Sequence, residues 1–202
     1  MAQVKFHKFV AALPVTLEAD SIYYVRVGAG FDIYVTNSGG TIVAYALNSG
    51  VVLQAGYQRA KLGADVINAN AVANTLADVT GLSFPVVAGN TYKFRFFIIY
   101  TAAATTTGSR WTINAPAVTT LNYRSEYSLT ATSITSNEGL SAVNTAATAN
   151  ASSAATVSNI AIIEGVIVPS ANGVVIARFA SEIAASAIVA KAGRSFVEWE
   201  QI

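Results

Sequence analysis

Along most of the 202 residues, short runs of Val, Ile, Tyr, Phe and Thr are closed by Gly, Asn, Ser or Pro before they can become long. Runs of this length and composition read as strands, because β-branched and aromatic side chains suit a pleated, half-buried surface. The clearest cover residues 22–27, 31–36, 41–46, 91–101, 109–114, 160–168, 174–179 and 195–199. Residues 61–78 are rich in Ala, yet Gly63, Asn68, Asn70 and Asn74 inside them, with Gly81 just beyond, argue for irregular or edge structure rather than a helix. The expected class is all-β.

Asn48, Ser49 and Gly50 separate a tight group of three strand runs from a longer region. We therefore expect a small N-terminal antiparallel β-module over residues 1–50 and a jelly-roll-like β-sandwich over residues 51–202. A module of that size makes only a marginal core, so it needs support from the second domain, sister subunits or a partner.

Three hairpin registers can be written down. With residues 28–30 as a three-residue loop, Arg26 falls opposite Asp32 and Tyr24 opposite Tyr34. With residues 37–40 as the next turn, Thr36 faces Thr41, Tyr34 lies beside Val43 and Asp32 beside Tyr45. One face then carries Tyr24, Arg26, Asp32, Tyr34 and Tyr45, tyrosines around one ion pair, which is the composition of a protein interface; an ordinary half-exposed sheet face is the other reading. The opposite face, Tyr23, Val25, Val27, Phe31, Ile33, Val35, Ile42, Ala44 and Ala46, reads as core. Farther on, pairing Val168 with Val174 across residues 169–173 sets Glu164 opposite Arg178, a second expected ion pair.

Charge is scarce. Only 11% of the residues are charged, against about a quarter in an average soluble domain, so much of the surface is suited to cover by other subunits. The segment between Glu138 and Glu164 holds 25 residues without a charge; its small side chains would permit close packing about an oligomer axis, or it is a surface loop. With 12 Lys and Arg against 11 Asp and Glu, no basic footprint for nucleic acid exists. Mean hydropathy is positive, but the longest apolar runs, such as 94–104, fall well short of the roughly 20 residues a spanning helix needs, and membrane insertion is not expected. Residues 5–13 imitate a signal peptide only faintly before Glu18 and Asp20 intervene, and no targeting segment is read there.

Chemistry finds few footholds. No cysteine is present and His7 is the one histidine, which leaves neither thiolate nor two-histidine metal sites, and no cofactor is expected. Gly28 and Gly30 form G-x-G but precede a strand instead of a helix N-terminus, so they read as loop glycines. No G-x-S-x-G elbow occurs, and the carboxylates are scattered. Glu198 and Glu200 share a face around Trp199, read as the charged outer edge of a terminal strand. The sequon Asn150-Ala151-Ser152 has meaning only in a glycosylating host. Trp111, Trp199, Tyr92, Tyr100, Tyr123 and Tyr127 could form a sugar-stacking platform, although core and interface anchors are the commoner use of such residues. The expectation is a protein that is not an enzyme.

Certain runs carry a resemblance. SIYYVRVGAGFDIYVTNSGGTIVAY over 21–45, preceded by ALPVTLE over 12–18, resembles a small N-terminal module of tailed-bacteriophage fibre and other virion proteins. The remainder resembles a phage structural module through LADVTGLSFP at 76–85, YKFRFF at 92–97, TTTGSRW at 105–111, NIAIIEG at 159–165, ARFA at 177–180, AIVAKAG at 187–193 and FVEW at 196–199. The resemblance implies a homotrimeric β-sandwich protein of the virion, assembled in the bacterial host cytoplasm and partnered by major capsid or tail proteins. No catalytic residue comes with it. Without heptads or shaft repeats, a compact capsid decoration (minor capsid or cement) protein or a short head or tail fibre is favoured over a long tail fibre. The alternative is a receptor-binding, lectin-like tail fibre module recognising host surface glycan. An enzyme degrading polysaccharide would need two facing carboxylates.

Overall fold

The computed structural model describes residues 6–27, 30–44, 57–130, 132–145 and 156–202. Every regular element in them is a strand, and the chain is all-β. It divides into two compact units, Met1–Gln54 and Ala55–Ile202.

In the first unit, β1 (Phe6–Val10), β2 (Ser21–Val27), β3 (Gly30–Thr36) and β4 (Ile42–Ala44) form one sheet in that order. The last three are antiparallel neighbours, whereas β1 adds to β2 in parallel. Residues 11–20 return the chain to the start of β2, and a buried hydroxyl fixes them there. Thr36 Oγ1 accepts from Ser21 N at 2.9 Å and donates to Glu18 O at 2.6 Å. Tyr23 OH accepts from Glu18 N at 2.8 Å. The β3–β4 turn is organised by Asn37, whose Oδ1 accepts from the backbone N–H groups of Gly39 and Thr41, both at 2.9 Å. Gly40 is required in this turn, since it holds φ +74° and a Cβ there would lie 2.9 Å from Leu17 O.

The second unit is a β-sandwich. Its larger sheet runs β11 (Ile134–Leu140), β10 (Val118–Ser128), β12 (Asn159–Pro169), β8 (Tyr92–Ala102). The free edge of β8 is then shared by two short strands, β14 (Ile188–Ala190) and β15 (Phe196–Gln201), which pair onward with β6 (Val66–Asn68) and β5 (Gln58–Lys61) respectively. The smaller sheet is β7 (Ala77–Val86), β13 (Gly173–Ser181), β9 (Ser109–Asn114). Residues 62–76 carry β6 at a sheet edge amid irregular chain, as their asparagines suggest. Alternation along the strands fills the space between the sheets. Phe94, Phe96, Ile98 and Ile163 from one side meet Phe84, Trp111, Val175 and Phe179 from the other. Trp111 stacks on Phe179 at 5.0 Å between ring centroids, and Phe84 on Trp199 at 5.3 Å.

Two expected registers are corrected. Val27 pairs with Gly30 and Tyr23 with Tyr34. Gly30 belongs to β3, so the loop is one residue shorter than expected, and a one-residue change exchanges the faces of a strand. Thr36 pairs with Ile42 and Val35 with Ala44, the register shifting between them, in place of Thr36 with Thr41.

The third hairpin does not form. β12 and β13 lie in opposite sheets, because both are apolar on alternate residues and the core takes one from each side. The connection is held by Ser170 N to Ala117 O and Gly89 N to Pro169 O, both at 2.8 Å. Glu164 and Arg178 are therefore not partners. Arg178 Nε lies 2.7 Å from Asp78 Oδ1, its Nη1 donates to Asn144 Oδ1 at 2.8 Å, and its Nη2 to Leu76 O at 3.2 Å.

Candidate interaction surface

The tyrosine face expected on the first unit is split by the corrected register. Tyr23, Val25, Asp32, Tyr34 and Thr36 share one side, where all but Tyr34 are buried. Tyr24, Arg26 and Ile33 share the other, so Arg26 and Asp32 do not face each other and no Arg26–Asp32 ion pair is set up. Val25 takes the place opposite Asp32. Ile33 and Val35, expected in the core, are half-buried on the outer side. Tyr45 lies outside the described residues. On that outer side the Tyr24 ring stacks against Phe9 at 4.7 Å, and Phe9 is 81% exposed. Lys8 makes an ion pair with Glu18.

The second unit has a surface that the residues did not disclose. On the outer face of the large sheet, strand registers set Arg59 opposite Glu198, Glu198 opposite Arg95, Arg95 opposite Glu164, and Glu164 opposite Arg124. Glu138 of the neighbouring β11 completes the row, 3.7 Å from Arg124 Nη1. Six residues on six adjacent strands thus alternate in sign. Arg124 Nε donates to Glu164 Oε1 at 2.8 Å, Arg95 Nε lies 3.3 Å from Glu164 Oε2, and Arg124 Nη1 lies 3.2 Å from Glu126 Oε1. The Glu164 hydrogen bond, reinforced by the charges of Glu164 and Glu126, raises the Arg124 pKa above its ordinary value. At one end Tyr57 OH donates to Glu198, which pushes the phenol pKa up. The guanidinium of Arg59 sits 4.2 Å over the Phe196 ring.

A groove of about 650 Å³ runs along this row, rimmed by Tyr57 and Glu138 and crossing Gly165. Gly165 lies between Phe94 and Tyr123 in the register, on the inner side of the row. A Cβ there would come within 2.2 Å of Asn122 O and 2.5 Å of Tyr123 Cβ. The glycine lets β10 approach β12 closely beneath the charged row.

Above the row the same face turns apolar. Phe196, Phe97 and Ile162 stand side by side, with Glu126 of β10 next to Ile162, then Ile99 with Ile160, then Thr101, Val189 and Ile67. Phe97 and Phe196 stack at 5.3 Å. A smaller groove of about 340 Å³ includes Ile134, Ile160 and Ile162. Ile67 is 64% exposed, Ile134 63% and Ile160 41%. Phe97, Ile99, Ile160 and Ile162 form an apolar strip at the middle of the face, and exposed apolar surface gathered in this way marks an interaction site more often than scattered single residues do.

Glu198 and Glu200 do share a face, but Glu198 lies within the sheet between Arg95 of β8 and Arg59 of β5, whereas Glu200, past the end of the β5 register, faces Lys93 of β8 alone. The six aromatic candidates for a sugar platform sit elsewhere. Tyr92, Tyr100, Trp111, Tyr123 and Tyr127 are core residues, and Trp199 packs against that core. Burial pushes the Tyr123 and Tyr127 phenols up, the latter to about 12. The start of the uncharged segment is tied into the sandwich: Thr145 O accepts from Thr112 Oγ1 at 3.0 Å and Tyr123 OH at 3.1 Å, and Asn144 N donates to Ile113 O at 2.8 Å. Residues 146–155, including the sequon, lie outside the described residues. Sequence reading missed the charged row because each strand contributes a single member to it. The outward phase of each was readable in YKFRFF and FVEWE, but their adjacency depends on strand order.

No protein-family model matches the chain, and no curated protein sequence matches it. Among solved structures, it is similar to the VP2 subviral particle of infectious bursal disease virus, with TM-score 0.40 and 9% identity over 94% of this chain and 46% of that one. The structure of the Gx strain of the same virus gives TM-score 0.22 and 12% identity over 88% of this chain and 43% of that one. This chain thus spans less than half the length of the viral chains it resembles, and at such scores the likeness decides neither fold nor role.

Proposed function

We propose that this protein is a structural subunit of a virion of tailed-phage type, with no catalytic role. It is a homotrimeric decoration or short-fibre protein, assembled in the bacterial cytoplasm. The observation that carries this reading is the surface of the second unit, where charges neutralise one another along one row while Ile67, Ile134 and Ile160 stay exposed on the same face. Such a surface is suited to contact with protein. The resemblance of residues 21–45 and of the later runs to phage virion modules supplies the kind of particle.

The mechanism is mass action. Subunits that bind the assembled lattice and not its free components stabilise it by the free energy of those contacts. The first unit offers Phe9 and Tyr24, stacked on the outer side of its sheet, as the docking surface for a capsid or tail protein. Virions purified from the host by density gradient should contain the chain in stoichiometric amount, and Tyr24→Asp should remove it from them while it accumulates in the soluble lysate. A chain that is absent from wild-type virions contradicts the proposal. Normal incorporation of the variant would sink the docking assignment alone.

A further inference from the structure

The alternating row has a property that follows from its length. Read across the sheet it is Arg59, Glu198, Arg95, Glu164, Arg124, Glu138. Reversed, each basic position falls on an acidic one. An isologous contact brings the same surface of two copies together about a twofold axis. An axis lying in the contact plane along the strands, between β8 and β12, reverses the row and leaves heights along the strands unchanged. Charged row then meets charged row; in the next row Phe97 and Ile162 face each other while Phe196 falls opposite Glu126, and in the row after that Ile99 and Ile160 face each other.

We propose that the outer face of the large sheet binds a second copy of this chain about such an axis. Arg95 meets Glu164 of the second copy, Glu198 meets Arg124, and Arg59 meets Glu138, each pair occurring twice. Phe97 meets Ile162, and Ile99 meets Ile160 close to the axis. The central Phe97, Ile99, Ile160 and Ile162 supply the drive for association, since apolar area leaves water there. The charges set the register, because any sideways shift by one strand places like charge on like charge. The row's charges are also engaged within the chain, by Arg124 with Glu164 and Arg95 with Glu164, so they remain paired as they lose water. A threefold assembly through other surfaces is compatible with this contact, which then joins two trimers.

The test uses trans complementation in the full chain. In a homodimer of Arg95→Glu, the introduced carboxylate of each copy meets the native Glu164 of the other. In a homodimer of Glu164→Arg, the introduced guanidinium of each copy meets the native Arg95 of the other. Mixed together, the two variants restore opposite charge at both central positions. By sedimentation, each variant alone should have half the mass of the wild type, and the equimolar mixture should return to the wild-type mass. Salt bridges within one chain cannot produce that recovery.

Arg59→Glu with Glu138→Arg is a second pair at the exposed ends of the row, usable if the central variants melt early. Ile160→Asp should halve the mass and gain nothing from either partner. Reversal variants that sediment like the wild type, or a mixture that stays at the mass of its components, would overturn the proposal.

Discussion

Gly165 is where the sandwich permits least freedom. A methyl group there would press on Asn122 O at 2.2 Å, and that oxygen is backbone, held by its own ladder. Gly165→Ala should lower stability by about 3 kcal/mol, read as a fall in thermal midpoint, since overpacking of a rigid site typically costs 1–3 kcal/mol and more where nothing can yield. Tyr127 makes a second residue-level statement. Burial raises its folded pKa from 10.0 to about 12, so the fold holds the phenolic proton more tightly than the unfolded chain does. That contribution is whole below pH 10, declines as pH rises toward 12, and amounts to about 3 kcal/mol at 1.36 kcal/mol per unit. Chemical denaturation between those pH values should show wild-type stability falling and Tyr127→Phe losing less. The sequence left Tyr127 between a sugar-stacking platform and the commoner core or interface anchor, a choice that burial decides for the core. It did not single out Gly165, because an unstrained φ leaves a glycine no local mark and the need for it lies on another strand.

Element-scale legibility followed strand strength. The long runs at 91–101, 109–114 and 160–168 became β8, β9 and β12 within a residue or so at each end. Short strands such as β5, β6 and β14 have too few residues to show a period and exist because a neighbour offers each a ladder, β15 for β5, β8 for β14 and β14 for β6. Registers failed where a glycine chose a strand over a loop, as Gly30 did, and where an apolar strand crossed the core, as β13 did. One side chain links the sheets at such a crossing. Asn68 on β6 is buried, and its Nδ2 donates to Phe179 O on β13 at 2.8 Å and to Thr75 O at 2.9 Å. Asn68→Ala removes both hydrogen bonds, and the loss of the buried one to Phe179 O should cost about 1–3 kcal/mol. Hydrogen exchange should show β6 and residues 70–75 losing protection first. Uniform destabilisation without local loss would contradict that role.

At the scale of the whole molecule, scarcity of charge already pointed to assembly, and the structure shows where the scarce charges went. Of the 12 basic and 11 acidic residues, six stand in one alternating row beside an apolar strip, an arrangement visible only once strand order is known. The central claim is that this chain is a part whose surface is completed by other protein. Sedimentation equilibrium of the full chain at micromolar concentration tests it most directly. The expected result is a mass that is a multiple of the 21.0 kDa chain, falling on dilution. A mass of one chain at every concentration would contradict it.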